Sequence, residues 1–309
     1  MEEKITQLIR RARAVMLEPS CANKARMTAA TRSWWFETEE EDETTRAAFG
    51  DLDRAELESV VEDPARETRC VDPSKTRRIG NGGTAASRTA ILHSLASIES
   101  WAMILAWDAI QRFGAQREMP KGFYDDFVEL AADEGRHFEL LSRRLDETGL
   151  ERYGELEAHD GLWRSAKETA HSLEARLVVE HCVHEARGLD VLPNTIRKFR
   201  SNGDEASATL LETIVYPEEI THCAAGLRWF KYLHARDGEG AAEGAEEMSE
   251  SSSAVKMFHH IVRTHFAGVC KPPFNTEARE KAGFTPIWYE PLAEKPFTDG
   301  ETVQVQVQA

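Results

Sequence analysis

Two short stretches decide the fold: "DEGRHFELL", residues 133–141, and "EEITHCAAG", residues 218–226. Each carries a glutamate with a histidine three residues later, inside a segment whose apolar residues recur at helical spacing. Positions i and i+3 of an α-helix lie about 60° apart on one face, so both side chains can reach one ion. The two pairs are Glu134 with His137 and Glu219 with His222.

Working outward from these stretches, the chain from Thr84 to Ala235 reads as a succession of helices. Its apolar residues keep a helical period, and glycines 114, 149 and 188 stop the first three segments. The predicted long helices are residues 87–113, 120–148, about 163–187 and 204–235, with a short helix from Pro193 and a further helix at 254–266. Four long helices predict an all-α protein built on a four-helix bundle.

The same pattern predicts four parts along the chain. The low-complexity acidic stretch "DGEGAAEGAEEMSESSS" is typical of a flexible linker, because it offers too little apolar surface to fold. The parts are an N-terminal helical and loop extension (residues 1–85), the bundle (86–236), the linker (237–252), and a C-terminal helix and tail that pack on the bundle (253–309).

A lone acid on the preceding helix accompanies each Glu-x-x-His motif. Glu99 lies in "LASIESWAMILAW" and Glu185 in "VVEHCVHEARG". Glu134 follows 35 residues after Glu99, and Glu219 follows 34 residues after Glu185. The chain therefore repeats one unit twice, which predicts a pseudo-twofold bundle. Glu99 and Glu134 lie about equally many residues from the turn near residue 117, and Glu185 and Glu219 from the turn near residue 202. In each antiparallel pair of helices the two glutamates therefore lie at the same height.

A third Glu-x-x-His pair, Glu168 with His171, does not fit this repeat. About one or two such pairs are expected by chance in a chain with this many glutamates and 11 histidines. At a rise of about 1.5 Å per residue, His171 lies about 21 Å from the level of Glu185. We therefore expect Glu168 and His171 to be ordinary surface residues.

Four glutamates and two histidines are the ligands that a carboxylate-bridged dinuclear centre requires. Carboxylate oxygens hold and bridge the ions, and one imidazole caps each. The predicted ligands of two iron ions, or of a manganese–iron pair, are Glu99, Glu134, His137, Glu185, Glu219 and His222. The alternative is a set of buried ion pairs, which is costly unless every charge is compensated.

Six neighbouring residues are candidates for orienting these ligands by hydrogen bonds, with surface ion pairs or core packing as the alternative. They are Asp133, Arg136, Arg187, Asp190, Glu218 and Tyr216. His184 is a poor ligand for the ion of Glu185, because adjacent residues lie about 100° apart round a helix. His93 and Trp101 are expected to serve packing.

Composition narrows the class of protein. A net charge of -16 disfavours nucleic acid as a partner, because phosphate binding needs clustered lysine and arginine. Five widely spaced cysteines lack zinc-site spacing, which favours reduced thiols. No apolar run approaches the roughly 20 residues of a membrane helix, and no signal peptide is evident. We expect a cytoplasmic protein without membrane contact.

Several longer stretches resemble the DUF455 family of ferritin-like proteins, from the N-terminal helix to about residue 293. They are "FYDDFVELAADEGRHFELLSRRL", "YGELEAHDGLW", "HEARGLDVLPNTI", "EEITHCAAGLRWFKYL", "PPFNTEAREKAGF" and "DPSKTRRIG". The stretch "VVEHCVHEARGLDVLP" is most similar to the eukaryotic, notably fungal, branch. The resemblance implies a ferritin-like bundle, with the family's ligand positions on the same six residues that the spacing selects.

The sequence departs from this family at one position near a predicted ligand. Relatives usually carry Ala-His-Ile-Glu where this chain has Ala-Ser-Ile-Glu, so Ser97 replaces a histidine two residues before Glu99. Because two residues correspond to about 200° round a helix, that histidine is expected to have a structural or outer role. The effect of Ser97 on activity is left open.

A dinuclear centre of this kind predicts an oxidoreductase, a monooxygenase or hydroxylase, that uses O2 or peroxide on an unknown small-molecule substrate. No flavin, nicotinamide or iron–sulfur motif is visible, so a separate electron donor is expected. The alternatives are metal binding or storage without turnover, and a metal-free helical interaction module. The sequence leaves open the choice between iron and manganese, the substrate, and whether the chain forms a homo-oligomer.

Overall fold

A computed structural model of the protein describes residues 1–37, 59–72, 75, 80–237 and 252–293. The fold is all-α, as the sequence predicts, and its two short strands have two residues each. The helices are α1 (Glu2–Leu17), α2 (Cys21–Glu37), α3 (Ala85–Ala109), α4 (Lys121–Thr148), α5 (Gly161–Glu168), α6 (Leu173–Val178), α7 (Glu185–Ser201), α8 (Glu205–Leu210), α9 (Tyr216–Asp237), α10 (Ser253–His265), α11 (Thr276–Lys281) and α12 (Pro286–Tyr289). Strands β1 (Cys70–Val71) and β2 (Ala158–His159) pair in parallel.

Three π-helical turns continue α-helices without a break. They span Ile110–Gly114 after α3, Val179–His184 between α6 and α7, and Leu211–Val215 between α8 and α9. A π-turn holds one residue more than an α-turn and occurs often at functional sites. Helices α6 and α7 therefore form one rod over residues 173–201, and α8 and α9 form another over 205–237.

The chain divides by packing into two compact units. Unit 1 comprises residues 1–71 and 77–163, and unit 2 comprises 72–76 and 164–309, each taken over its described residues. The predicted division into extension, bundle, linker and tail stays a prediction. The linker lies outside the described residues except for its ends, Asp237 and Ser252, and so does the tail beyond residue 293.

Unit 1 is built around the hairpin of α3 and α4. Helix α3 begins at Thr84, whose hydroxyl accepts a hydrogen bond from the Ser87 N–H at 3.1 Å. Helix α4 ends at Gly149, whose φ of +67° suits a residue without a side chain. Helix α2 packs on α4, and α1 packs on α2 and α3. The predicted first two long helices are thus confirmed.

Unit 2 contains the second hairpin, made by the rods 173–201 and 205–237. Its last rod confirms the predicted fourth helix, and α10 confirms the predicted helix at 254–266. Phe258, Phe284 and Trp288 pack edge-to-face and stacked around Phe230, which attaches the C-terminal segment to α9.

The predicted third helix, about 163–187, starts close to the predicted position at Gly161, but it is interrupted and its predicted end is wrong. Instead of running from 163 to 187, it breaks after α5, restarts where Ser172 caps the Ala175 N–H at 3.2 Å, and continues through Gly188 and Pro193 to Ser201. Proline has no N–H for the carbonyl four residues earlier, that of Leu189. The Asn275 side-chain amide donates to this carbonyl at 3.0 Å and replaces the missing bond.

One helix, residues 85–114, is long and apolar enough to cross a membrane, although no such run was expected from the sequence. Glu99 and Asp108 interrupt its apolar residues, which is why a search for an unbroken run misses it. Of its most apolar stretch, 78% is buried inside the protein. Core helices of soluble proteins share this property.

Lys24 is a fully buried cation in unit 1. Its Nζ donates to the carbonyls of Val15 at 2.7 Å and Met16 at 2.8 Å in the last turn of α1. These bonds help to satisfy carbonyls that lack intrahelical partners at a helix end; the Met16 carbonyl also accepts from the Ala65 N–H at 3.0 Å. Burial lowers the pKa of Lys24 from 10.5 to about 7.

This lowered pKa predicts a pH-dependent stability. Between about pH 7 and 10 the unfolded chain keeps the Lys24 proton that the folded protein has lost, so raising the pH favours folding. We expect the free energy of unfolding of the wild type, relative to Lys24→Met, to rise over this interval and to stay level below it. Urea unfolding at several pH values measures the difference; a difference that does not change with pH would contradict the buried-lysine account.

Asn275 and Pro193 should be energetically coupled. Asn275→Ala leaves the Leu189 carbonyl without a donor, which costs about 1–3 kcal/mol. In a Pro193→Ala background the new N–H can bond to Leu189, so the same change should cost less. Urea unfolding of the four proteins gives the coupling energy, and the other contacts of Asn275 cancel because both backgrounds lose them. Additive effects would show that the amide does not replace the missing bond.

Candidate metal centre

The predicted ligands of unit 1 come together as one triad. Glu99 lies on α3, and Glu134 and His137 lie on α4; at most 4% of any of them is exposed. His137 Nδ1 lies 3.4 Å from Glu134 Oε2 and 3.9 Å from Glu99 Oε2. The three ligand atoms lie within 4.8 Å of one another. We call these residues triad 1.

Unit 2 holds the matching set. Glu185 opens α7, and Glu219 and His222 lie in the first two turns of α9. His222 Nδ1 lies 3.9 Å from Glu219 Oε2, and the three ligand atoms again lie within 4.8 Å of one another. Glu219 and His222 are buried and Glu185 is half-buried. These residues form triad 2.

Each triad fits a divalent transition-metal ion by its donors. Metal–ligand bonds of about 2.0–2.2 Å place the ligand atoms of one ion about 3–4 Å apart, so small side-chain movements suffice to close either triad. Two carboxylates and one imidazole form the mixed oxygen and nitrogen donor set that iron and manganese accept. Each triad is therefore able to hold a metal ion.

The charges within each triad also favour a cation. Even a protonated histidine balances only one of the two carboxylates beside it, whereas a divalent ion balances both. Charge taken out of water is costly unless an opposite charge lies close by. A metal ion would therefore stabilise each triad where its carboxylates already converge.

Both ligand-bearing rods of unit 2 contain a π-turn just before their ligands. The turn Val179–His184 ends next to Glu185, and the turn Leu211–Val215 ends four residues before Glu219. One extra residue rotates everything after it by about 100° relative to an unbroken α-helix. In unit 2 the π-turns therefore set which face carries the ligands.

Gly226 lets α9 approach the first of these π-turns closely. A Cβ at Gly226 would lie 2.0 Å from the carbonyl oxygen of His181, and no side chain fits at that distance. Gly188, on α7, differs: a Cβ there would meet nothing nearer than Glu219 Oε2 at 3.9 Å. Only Gly226 is required for the close packing of the two rods.

Two of the six neighbouring candidates belong to a clamp on the C-terminal segment. Asp190 accepts hydrogen bonds from Arg279 Nε at 2.9 Å, from Arg279 Nη2 at 2.5 Å and from the Asn275 N–H at 2.8 Å. Tyr216 OH accepts from Asn275 Nδ2 at 2.6 Å. Because Asp190 lies on α7 and Tyr216 on α9, the clamp ties both rods of triad 2 to one segment.

The other four candidates have less specific positions. Asp133 and Arg136 form an ion pair of 3.0 Å on α4, with the arginine exposed. Arg187 is exposed, and Glu218 is half-buried with its backbone carbonyl accepting from Thr221 Oγ1 at 2.7 Å. Their proposed role in orienting ligands stays a prediction.

Two histidines near the triads have other partners. His93 Nε2 accepts from the Gly154 N–H at 3.0 Å, its ring stacks on Tyr153, and burial lowers its pKa. His184 Nε2 lies 3.2 Å from Ser165 Oγ; burial, aided by the charge of Arg187, lowers its pKa to about 4, so it is neutral at pH 7.

The pair Glu168 and His171 is exposed and belongs to neither triad, as expected. Ser97, two residues before Glu99, is buried, and its backbone carbonyl accepts from Ser100 Oγ at 2.8 Å. Trp101 packs in the core and donates to the His159 carbonyl at 3.2 Å.

Two buried polar residues on the π-turn Val179–His184 escaped the sequence analysis. Glu180 and His181 are each 1% exposed, and Glu180 Oε2 lies 3.7 Å from His184 Nε2. A regular helical wheel cannot show which face of the helix they occupy, because the π-turn changes the angle per residue. The stretch "VVEHCVHE", with four ionisable residues among apolar ones, was the available signal.

The sequence of the chain matches one protein family and one curated protein. The family model described as "Protein of unknown function (DUF455)" matches residues 17–290. An uncharacterized protein of Haemophilus influenzae is 35% identical over 206 residues, which cover 65% of this chain and 66% of that protein. The match thus spans just under two thirds of the relative's length. No solved structure matches the chain.

The Gly226 contact predicts unequal effects of two similar substitutions. Gly226→Ala should lower the free energy of unfolding by about 1–3 kcal/mol, because backbone must move to admit the methyl group. Gly188→Ala, the matched control, should be neutral or stabilise by about 0.5–1 kcal/mol, as alanine does inside a helix. Urea unfolding measures both; equal effects would contradict the close approach.

Proposed function

We propose that this chain, which belongs to the DUF455 family of proteins of unknown function, is a non-haem dinuclear metal oxidoreductase with a ferritin-like bundle. In this proposal triad 1 binds one ion, triad 2 binds the other, and carboxylates bridge the two. The observation that carries it is the convergence, in each unit, of one glutamate from the first helix with a buried Glu-x-x-His from the second.

Two arguments favour one dinuclear centre over two separate sites. Each triad supplies only three protein ligands, and a carboxylate with two oxygens can complete the coordination of a neighbouring ion by bridging. The sequence also repeats the same ligand unit at nearly equal spacing, as expected of two halves that serve one centre. Six ligands for two ions leave coordination positions open for small molecules.

The donor set suits two iron ions, or manganese with iron. When bound, such a centre supplies the redox chemistry with O2 or peroxide by which an unknown small-molecule substrate is hydroxylated or otherwise oxygenated. The protein's part is to hold the carboxylates and imidazoles in place and to keep bulk water away from them, since five of the six residues are buried.

The remaining components follow from the chemistry and the composition. Reducing equivalents would come from a separate protein or small-molecule donor, because the sequence has no flavin, nicotinamide or iron–sulfur motif. The acidic chain disfavours nucleic acid as a substrate. We propose that it acts in the cytoplasm.

Metal content tests the centre. Protein expressed with added iron and manganese should contain close to two metal ions per chain. Glu134→Gln or Glu219→Gln keeps the shape of the side chain but removes a charged ligand, and each should weaken metal binding by about tenfold to a hundredfold or more. Elemental analysis after extensive dialysis gives the stoichiometry.

Glu168→Gln is the matched control, because it changes the glutamate of the exposed Glu-x-x-His pair. It should keep both metal ions and the same rise in Tm on metal binding as the wild type. Absence of metal from the wild type after anaerobic reconstitution with Fe(II), or equal metal content in all four proteins, would overturn the proposal.

Oxygen consumption separates an enzyme from a metal store. The Fe(II)-loaded protein with a reductant should consume O2 repeatedly while its iron content stays near two ions per chain. Uptake of many more iron ions with O2 consumed only in proportion would instead indicate storage.

A further inference from the structure

Gly188 is a glycine inside α7 that the fold does not require. Its φ lies outside the left-handed region, and a Cβ built on it would meet no atom nearer than Glu219 Oε2, at 3.9 Å, which is an ordinary van der Waals contact. Glycine makes a helix less stable than alanine does, because its backbone loses more freedom on folding. Neither backbone conformation nor close packing therefore accounts for glycine at this position.

Other helical glycines of the protein are tightly packed. Gly135, next to a ligand of triad 1, would place a Cβ 3.3 Å from Met103 Sδ. Gly226, in α9, would place one 2.0 Å from the carbonyl oxygen of His181. Gly188 differs from both, because the space beside it is open. We call this open space, between Gly188 and Glu219, the gap.

The gap lies on the accessible side of the predicted ligands. Gly188 is half-buried, and so is Glu185, three residues earlier on the same face of α7. The side chain of Glu219 keeps 8% of its area exposed, whereas that of Glu134 keeps 1% and that of His137 keeps 0%. Solvent therefore reaches the carboxylates of triad 2 more easily than those groups of triad 1.

The clamp on the C-terminal segment borders the gap. Asn275 Nδ2 donates to the carbonyl of Leu189, the residue after Gly188, at 3.0 Å and to Tyr216 OH at 2.6 Å. Tyr216 lies three residues before Glu219, on the same face of α9. Asn275 thus joins the two rods beside the gap and fixes the distance between them there.

We infer that the gap is the route by which O2 or peroxide reaches the carboxylates of triad 2, and that the missing side chain of Gly188 keeps it open. A space left by one absent side chain suits a molecule of two heavy atoms and excludes a bulky one. Glu219 Oε2 is the atom nearest to this space. The identity of the molecule rests on the proposed function, whereas the gap itself does not need a metal.

Filling the gap should slow the entry of small molecules without removing metal. Iron-loaded Gly188→Leu should keep its two iron ions per chain, whereas association and dissociation of azide should both slow about tenfold or more. Azide is a slim probe, and its binding to ferric iron is followed by absorption in a stopped-flow instrument. A narrowed route slows both rates together, so the affinity should change far less than either rate. Gly188→Ala, which adds one methyl group, should slow them less.

Gly83→Leu is the matched control, because a Cβ at Gly83 also meets no atom within 4 Å. Gly83 precedes α3, about 20 Å along that helix from Glu99, so this change should leave the azide rates unaltered. Equal rates in Gly188→Leu and the wild type would overturn the route. So would loss of metal or of folding in Gly188→Leu, because a leucine that displaces Glu219 is not filling open space.

A metal-free measurement separates the route from the metal centre. Trimethyloxonium is a small reagent that methylates carboxylates, and mass spectrometry of peptides identifies the methylated residues. In the metal-free full chain, Glu219 should be methylated faster than Glu134, and Gly188→Leu should slow the reaction of Glu219 only. Equal methylation of Glu219 in both proteins would overturn the route, even if the wild type binds two iron ions. Slowed methylation in a protein that binds no metal would support the gap while the dinuclear proposal fails.

Discussion

Both units depend on one constraint: each holds two carboxylates, buried or half-buried, beside one buried imidazole. A carboxylate loses hydration when it is buried, and one histidine cannot balance two of them. A hairpin of packed helices holds these groups together: Glu99 faces Glu134 and His137 in unit 1, and Glu185 faces Glu219 and His222 in unit 2. Protein folding thus brings the donors together, and binding of a divalent cation would offset the desolvation and repulsion of the carboxylates.

The local exceptions to regular helix geometry support the ligands of unit 2. The π-turns before Glu185 and Glu219 determine the direction in which the residues after them point. Gly226 has no side chain, so the His181 carbonyl can pack closer to it than any other residue would allow. Pro193 would break a helix in isolation, but Asn275 supplies the donor that it lacks. The clamp of Asp190, Asn275 and Arg279 then joins α7 to the C-terminal segment.

The helical spacing of apolar residues was sufficient to predict the regular helices of the fold. The hairpins, their turns near residues 117 and 202, and the meeting of the ligands within each unit follow from helical spacing and glycine and proline positions. It failed where distant residues intervene: the helix through Pro193 depends on Asn275, which is far along the chain. It also missed Glu180 and His181, because a π-turn has a different period from an α-helix.

Anomalous X-ray diffraction from crystals of the iron-loaded protein tests the central claim most directly. The account predicts two iron peaks about 3.5–4 Å apart, as in other dinuclear sites, one bonded to His137 and the other to His222. A single ion, two ions too far apart to share a carboxylate, or iron bound away from these histidines would contradict the dinuclear centre.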